Sequence, residues 1–177
     1  MKTFIVLLRG INVGGQKKIR MADLRESLHL KGFGEVHTYI QSGNIICRSD
    51  HLDLKSVEQL VQQSILKDFG FDVPTLALTT DEIDEIINNN PFASEEEKSL
   101  YFVLLKNPPE SERVESFNQE KFENEDFHIT DRCVYLCCKT GYGKAKLSNN
   151  LVERKLKVEA TARNLRTMKK LLEMADS

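Results

Sequence analysis

A chain of 177 residues with 40% hydrophobic content can bury a real core, either as one large domain or as two small ones, and nothing in its composition marks disorder. No apolar run approaches the roughly 20 residues needed to cross a bilayer. The first apolar run is too short for a signal-peptide core and lacks a small-residue cleavage site, so the expectation is a cytoplasmic protein that does not engage a membrane.

Lys2 to Leu8 contains a continuous apolar run, Phe4 to Leu8, as expected of a central strand. A polar loop with Gly10, Gly14 and Gly15 follows. Met21, Leu24 and Leu28 recur at helical spacing, and Gly32 is the expected stop. Val36 to Ile40 and Asn44 to Arg48 read as two strands joined by a tight turn at Ser42-Gly43. Asp53 is placed to cap a helix carrying Leu54, Val57, Val61 and Ile65, which Gly70 ends. Val73 to Leu78 is a fourth strand. This βαββαβ order predicts a ferredoxin-like plait over residues 1–80, with both helices on one face of an antiparallel sheet.

Thr79-x-x-Glu82 is a capping box before Ile83, Ile86 and Ile87. That helix and the charged stretch Glu95 to Lys98 form a bridging segment, residues 81–98. Leu100 to Leu105 predicts a fifth strand. Asn107, with Pro108 after it, predicts a helix start. Asp126 to Thr130 and Cys133 to Cys138 predict paired strands around Asp131-Arg132. Helices are expected from about Ser148 and Ala162, with Thr161 as N-cap of the last. Residues 99–177 thus read as a second, plait-related α+β half with C-terminal helices, a partial echo of the first without a sequence repeat to prove it.

Cys133 and Cys137 share one face of their strand and Cys138 the other, the pattern of small buried hydrophobes. The four histidines, His29, His37, His51 and His128, are scattered, and no paired cysteine spacing calls for zinc, so neither a metal nor a cofactor is expected. Charge is unevenly placed. Residues 139–177 carry ten Lys or Arg against four Asp or Glu, a net +6, and the rest carries fifteen against twenty-three, a net −8. Such asymmetry marks an anionic partner on the basic side, or solvated helix faces beside an acidic neighbour.

Three segments carry the chemistry. In the first loop, Gly10, Gly14 and Gly15 permit inward-pointing amides, Arg9 adds a planar cation, and Asn12 a neutral donor and acceptor. The spacing matches neither Gly-x-x-x-x-Gly-Lys-Ser/Thr nor Gly-x-Gly-x-x-Gly. At the hairpin, Ser42 and Asn44 are donors, or simply the small polar residues a turn needs. No acid or histidine adjoins Ser42 to make it a nucleophile. Near the C-terminus, Lys144, Lys146, Arg163 and Asn164 would make an anion-seeking surface, with Arg163 in the first turn of the last helix. Each of these residues also has an ordinary role in capping or solvation.

Leu8 to Gly15, Met21, Leu24, Thr38-Tyr39 and Gln41-Ser42-Gly43-Asn44 resemble the N-terminal signature of the bacterial family called domain of unknown function 1697. Lys146 to Asn150, Glu153, Ala160 to Asn164, Thr167, Lys170 and Leu171 resemble its second signature. The resemblance spans nearly the whole chain. It implies two ferredoxin-like or plait-related halves and no established activity. The family commonly has tryptophan where Leu165 stands, a ring that would either stack on a ligand or fill the core.

The leading expectation is a binding protein. Arg9, Asn12, Gly14, Ser42 and Asn44 would meet Lys144, Lys146, Arg163 and Asn164 in a cleft holding a phosphorylated small molecule, or less readily a nucleic-acid backbone. The alternatives are a phosphate-ester hydrolase or transferase, for which Glu153 or His37 would have to serve as base, and a structural module that forms a homodimer.

Overall fold

The computed structural model describes residues 1–50 and 53–177, so His51 lies outside the described residues. The chain forms two compact units, Met1–Asp84 with Lys170–Ser177, and Glu85–Lys169.

The first unit contains β1 (Lys2–Leu8), α1 (Met21–Leu30), β2 (Gly34–Tyr39), β3 (Asn44–Ser49), α2 (Leu54–Phe69) and β4 (Thr75–Leu78). The strands form one antiparallel sheet in the order β2-β3-β1-β4. β1 is central and buried from Phe4 to Leu8, as its unbroken apolar run demands. Strand alternation puts Phe4, Val6 and Leu8 on one face, where Leu24 and Leu28 of α1 and Val57, Val61 and Ile65 of α2 close the core. Removing a side chain such as Leu24, which is fully buried, to Ala would cost about 2–5 kcal/mol. Asp53 caps α2 by accepting the Ser56 amide at 2.8 Å, and Gly70 closes it in the left-handed conformation. Glu58, buried on α2, accepts the Ala77 amide at 3.0 Å and so ties edge strand β4 to the helix layer.

α3 (Thr80–Asn88) begins with the predicted capping box: Thr79 N donates to Glu82 Oε2 at 2.9 Å, and Glu82 N to Thr79 Oγ1 at 3.2 Å. The second unit then repeats the first element by element: β5 (Leu100–Leu105), α4 (Ser111–Asn118), β6 (Glu125–Ile129), β7 (Cys133–Cys138), α5 (Asn149–Leu156) and β8 (Ala160–Asn164). Its order, β6-β7-β5-β8, is that of the first sheet with each number raised by four. α6 (Leu165–Ala175) ends the chain.

Two local expectations are corrected here. α4 starts at Ser111 with Glu110 as N-cap, not at Asn107-Pro108. The segment at Thr161 is a strand rather than a helix start: Thr161 pairs with Leu104 and Arg163 with Phe102 on β5. The N-cap of α6 is Asn164, whose Oδ1 accepts the Thr167 amide at 2.8 Å. The β-branched Thr161 and a slot beside central β5 outweigh the helical spacing further on.

Gly43 permits a close approach of the hairpin to Leu8 and Ile11. Its φ is +85°, and a Cβ there would lie 2.6 Å from Leu8 Cβ and 3.1 Å from Ile11 Cδ1. Gly43→Ala should lower stability by about 2 kcal/mol or more, read from the urea midpoint, because backbone strain and overpacking add. An unchanged midpoint would refute that packing.

All four cysteines are buried free thiols. Burial pushes Cys47 and Cys138 up to about 12, and raises Cys133 and Cys137 as well. The unfolded thiols ionise near 9, so above that pH unfolding releases protons that the native state retains. Stability should therefore be intact below pH 9 and fall between pH 9 and 10, by up to about 1.4 kcal/mol per pH unit for each thiol. Denaturation midpoints across that interval check the sign.

Candidate functional site

The loop of residues 9–20 is a built structure. Val13 and Gln16 form an isolated antiparallel bridge across Gly14 and Gly15, with the Gln16 amide donating to Val13 O at 2.9 Å. Gly14 (φ 57°) and Gly15 (φ 74°) both need positive φ, so the turn is of the I′ kind that glycine pairs favour. The Asn12 amide donates to Lys17 O at 3.1 Å and extends this small ribbon by one pair. Two consecutive left-handed residues make a ribbon tip, not an inward-facing nest of amides.

Asn12 holds the ribbon to its surroundings. Its Nδ2 donates to Ile19 O at 3.0 Å and to Gln41 O at 2.8 Å, and its Oδ1 accepts the Ile19 amide at 2.9 Å. The Gln41 bond joins the loop to the β2–β3 hairpin tip. The backbone adds two more ties: Leu8 N donates to Gly43 O at 2.8 Å and Arg9 N to Pro74 O at 3.0 Å. Asn44 is fully buried, and its Nδ2 donates to Tyr39 O at 3.1 Å and Ser42 Oγ at 3.0 Å. Arg9, Asn12, Gly14, Ser42 and Asn44 thus gather at one end of the first sheet, with Asn12 and Asn44 spending their amide protons on the fold.

Sequence spacing alone missed the neighbours that matter here. Residues 1–20 contain Lys2, Arg9, Lys17, Lys18 and Arg20 and no acid, a signal visible in the chain once that run is counted. Lys17 Nζ donates to Asp72 O at 2.7 Å. Lys18 and Arg20 are exposed. The Arg20 ion pair with Asp23 is 3.7 Å long and solvent-exposed on both sides, so it contributes little and yields readily to a better anion.

The second-unit residues are carried by different elements. Lys146 follows β7, where the buried Glu125 carboxylate accepts the Lys146 amide at 3.0 Å and the Leu147 amide at 2.8 Å. Glu125 begins edge strand β6, whereas Arg163 and Asn164 sit on the opposite edge strand, β8. Ala160 and Ala162 face the α4–α5 core, so alternation turns Arg163 to the other side of the sheet. Arg163 is 9% exposed, and its Nη1 donates to Thr161 Oγ1 and Ala162 O, both at 2.8 Å. Burial pulls its pKa down to about 10, which leaves it cationic at neutral pH. Lys144 is exposed. Leu165 is 8% exposed, as a core residue would be.

A separate hollow of about 390 Å³ in the second unit is lined by Glu85, Asn89, His128, Asp131, Arg132 and Tyr135. The Arg132–Glu85 ion pair, 3.1 Å, lies at its wall, and the mixed charge selects no anion. Glu153 accepts from Asn149 Nδ2 at 2.7 Å, and His37 is exposed on edge strand β2. Among the described residues no group of three or more His, Cys, Asp or Glu could hold a metal ion.

Asn12→Ala should leave the Ile19 amide without its acceptor and free the ribbon from Gln41. Amide hydrogen exchange at Ile19 should accelerate, and stability should fall by about 1–3 kcal/mol. Unchanged protection at Ile19 would show that the clamp does not hold the loop.

A family model described as a protein of unknown function, DUF1697, matches residues 1–135. The chain is also similar to the solved structure of a conserved bacterial protein from Streptococcus pneumoniae, at 23% identity and a TM-score of 0.74 over 98% of each chain. At that identity the likeness establishes the fold alone. No curated protein matches the sequence.

Proposed function

The chain belongs to the DUF1697 family of proteins of unknown function, and we propose that its first unit binds a phosphate-bearing small molecule at the loop between β1 and α1. The observation that carries this reading is the run of cations without an acid, Arg9 to Arg20, mounted on a ribbon that Asn12 pins to the hairpin tip. Phosphate is held by charged donors supplemented with neutral ones. Lys18, Arg20 and Arg9 supply the charge, and the Gly14 amide and Ser42 hydroxyl are the neutral donors alongside. Asn12 and Asn44 position the loops. Lys144, Lys146, Arg163 and Asn164 belong to the second unit and lie outside this proposal.

We read each unit as a ferredoxin-like plait; the strand orders β2-β3-β1-β4 and β6-β7-β5-β8, all antiparallel, support it. Composition supports a cytoplasmic setting, and no helix among the described residues is long and apolar enough to cross a membrane. A nucleic-acid backbone would meet the same cations. Plaits that read RNA stack bases on exposed sheet aromatics, however, and the core of β1 is buried on both faces from Phe4 to Leu8. A small phosphorylated ligand fits better.

Isothermal titration with pyrophosphate should give saturable binding that weakens as salt rises. The double variant Lys18→Ala/Arg20→Ala should bind about tenfold or more weakly, since charge-assisted hydrogen bonds contribute about 1.5–3 kcal/mol each. Absence of binding, or equal affinity in the variant, would contradict the proposal.

A further inference from the structure

Two exposed aliphatic side chains crown the same end of the first unit. Val13, beside the Gly14-Gly15 turn, is 63% exposed, and Ile40, at the hairpin tip, is 51% exposed. Neither contributes to the core. Ile40 also sits at φ 50°, a region where a β-branched residue is an outlier and Asn or Gly would be at ease. The Asn12 Nδ2 to Gln41 O bond, 2.8 Å, joins the residue before Val13 to the residue after Ile40 and so keeps the two tips together. Lys18 and Arg20 are exposed on the same acid-free segment.

We propose that this end of the first unit docks on the surface of an anionic phospholipid bilayer, with Val13 and Ile40 entering the interface and Lys18 and Arg20 meeting lipid phosphates. The inference rests on the phosphate reading above and assigns that phosphate to a lipid headgroup. Charge complementarity selects the partner: cations with aliphatic tips among them match a surface that is anionic outside and apolar just beneath. A nucleic-acid groove is the poorer match, because neither tip is aromatic and base stacking therefore gains nothing from them. Each cation near an anionic leaflet is worth about fivefold in affinity. Such docking is peripheral and reversible; it needs no membrane-crossing helix and departs from the expectation, drawn from the lack of a spanning segment, that the chain does not engage a membrane.

The test is sedimentation of the full chain with vesicles of phosphatidylglycerol and phosphatidylcholine in equal parts, against vesicles of phosphatidylcholine alone, with pyrophosphate titration run in parallel. The wild type should bind the anionic vesicles and not the neutral ones. Val13→Ser/Ile40→Asn should bind anionic vesicles about tenfold or more weakly while its pyrophosphate affinity stays unchanged. Asn suits the positive φ at residue 40, so the variant should fold; if circular dichroism shows otherwise, Val13→Gln alone replaces it, with the same direction expected. Pyrophosphate binding without vesicle binding, or equal vesicle binding by variant and wild type, overturns this inference and leaves the phosphate reading standing. No pyrophosphate binding by the wild type overturns both. A double variant that loses affinity for a duplex oligonucleotide but keeps it for vesicles would make nucleic acid the partner and also overturn the inference.

Discussion

One side chain, Asn12, makes the first unit's loop a fixed object. Residues 9–20 contain three glycines and positive φ at Gly10, Asn12, Gly14, Gly15 and Lys17, a backbone that on its own would sample many conformations. Asn12 donates to Ile19 O and Gln41 O and accepts the Ile19 amide, and these three hydrogen bonds convert it into a ribbon docked against a hairpin. The hairpin in turn can come that close only because residue 43 lacks a Cβ. Cations carried by a pinned segment bind an anion without first ordering the loop, which is how preorganisation raises affinity.

The two units show one topology used with different loop chemistry. In the first unit the connection after central strand β1 is basic and ends in a ribbon tip. In the second, the basic loop after β7 is clipped by Glu125, whose carboxylate takes two of its backbone amides. A buried carboxylate next to Lys146 lowers the value of that loop as an anion site.

Much of this was legible from the residues. The run Phe4 to Leu8 reads as a central strand because both of its faces are apolar, and it is one. Thr79 and Glu82 stand at capping-box spacing, and both reciprocal bonds form. Thr161 misled because a threonine before an apolar helical pattern looks like an N-cap; the cap is Asn164, three residues later, and the intervening residues complete a sheet whose partner, β5, lies some sixty positions earlier. Local spacing carries no information about a pairing that distant. The roles of Asn12 and Asn44 were hidden for the same reason: an Asn that serves a ligand and one that serves the fold have the same one-letter pattern. The acid-free run over residues 1–20 was there to be counted, and needed the structure only to show that Lys18 and Arg20 remain at the surface.

The central claim is that an anion seats on the pinned loop of the first unit. A two-dimensional amide NMR titration with pyrophosphate tests it residue by residue. Saturable shifts should concentrate on Gly14, Gly15, Lys18 and Ser42, with the second unit unperturbed. Saturable shifts centred instead on Lys144 to Lys146, or weak non-saturating changes spread over every surface lysine, would contradict it.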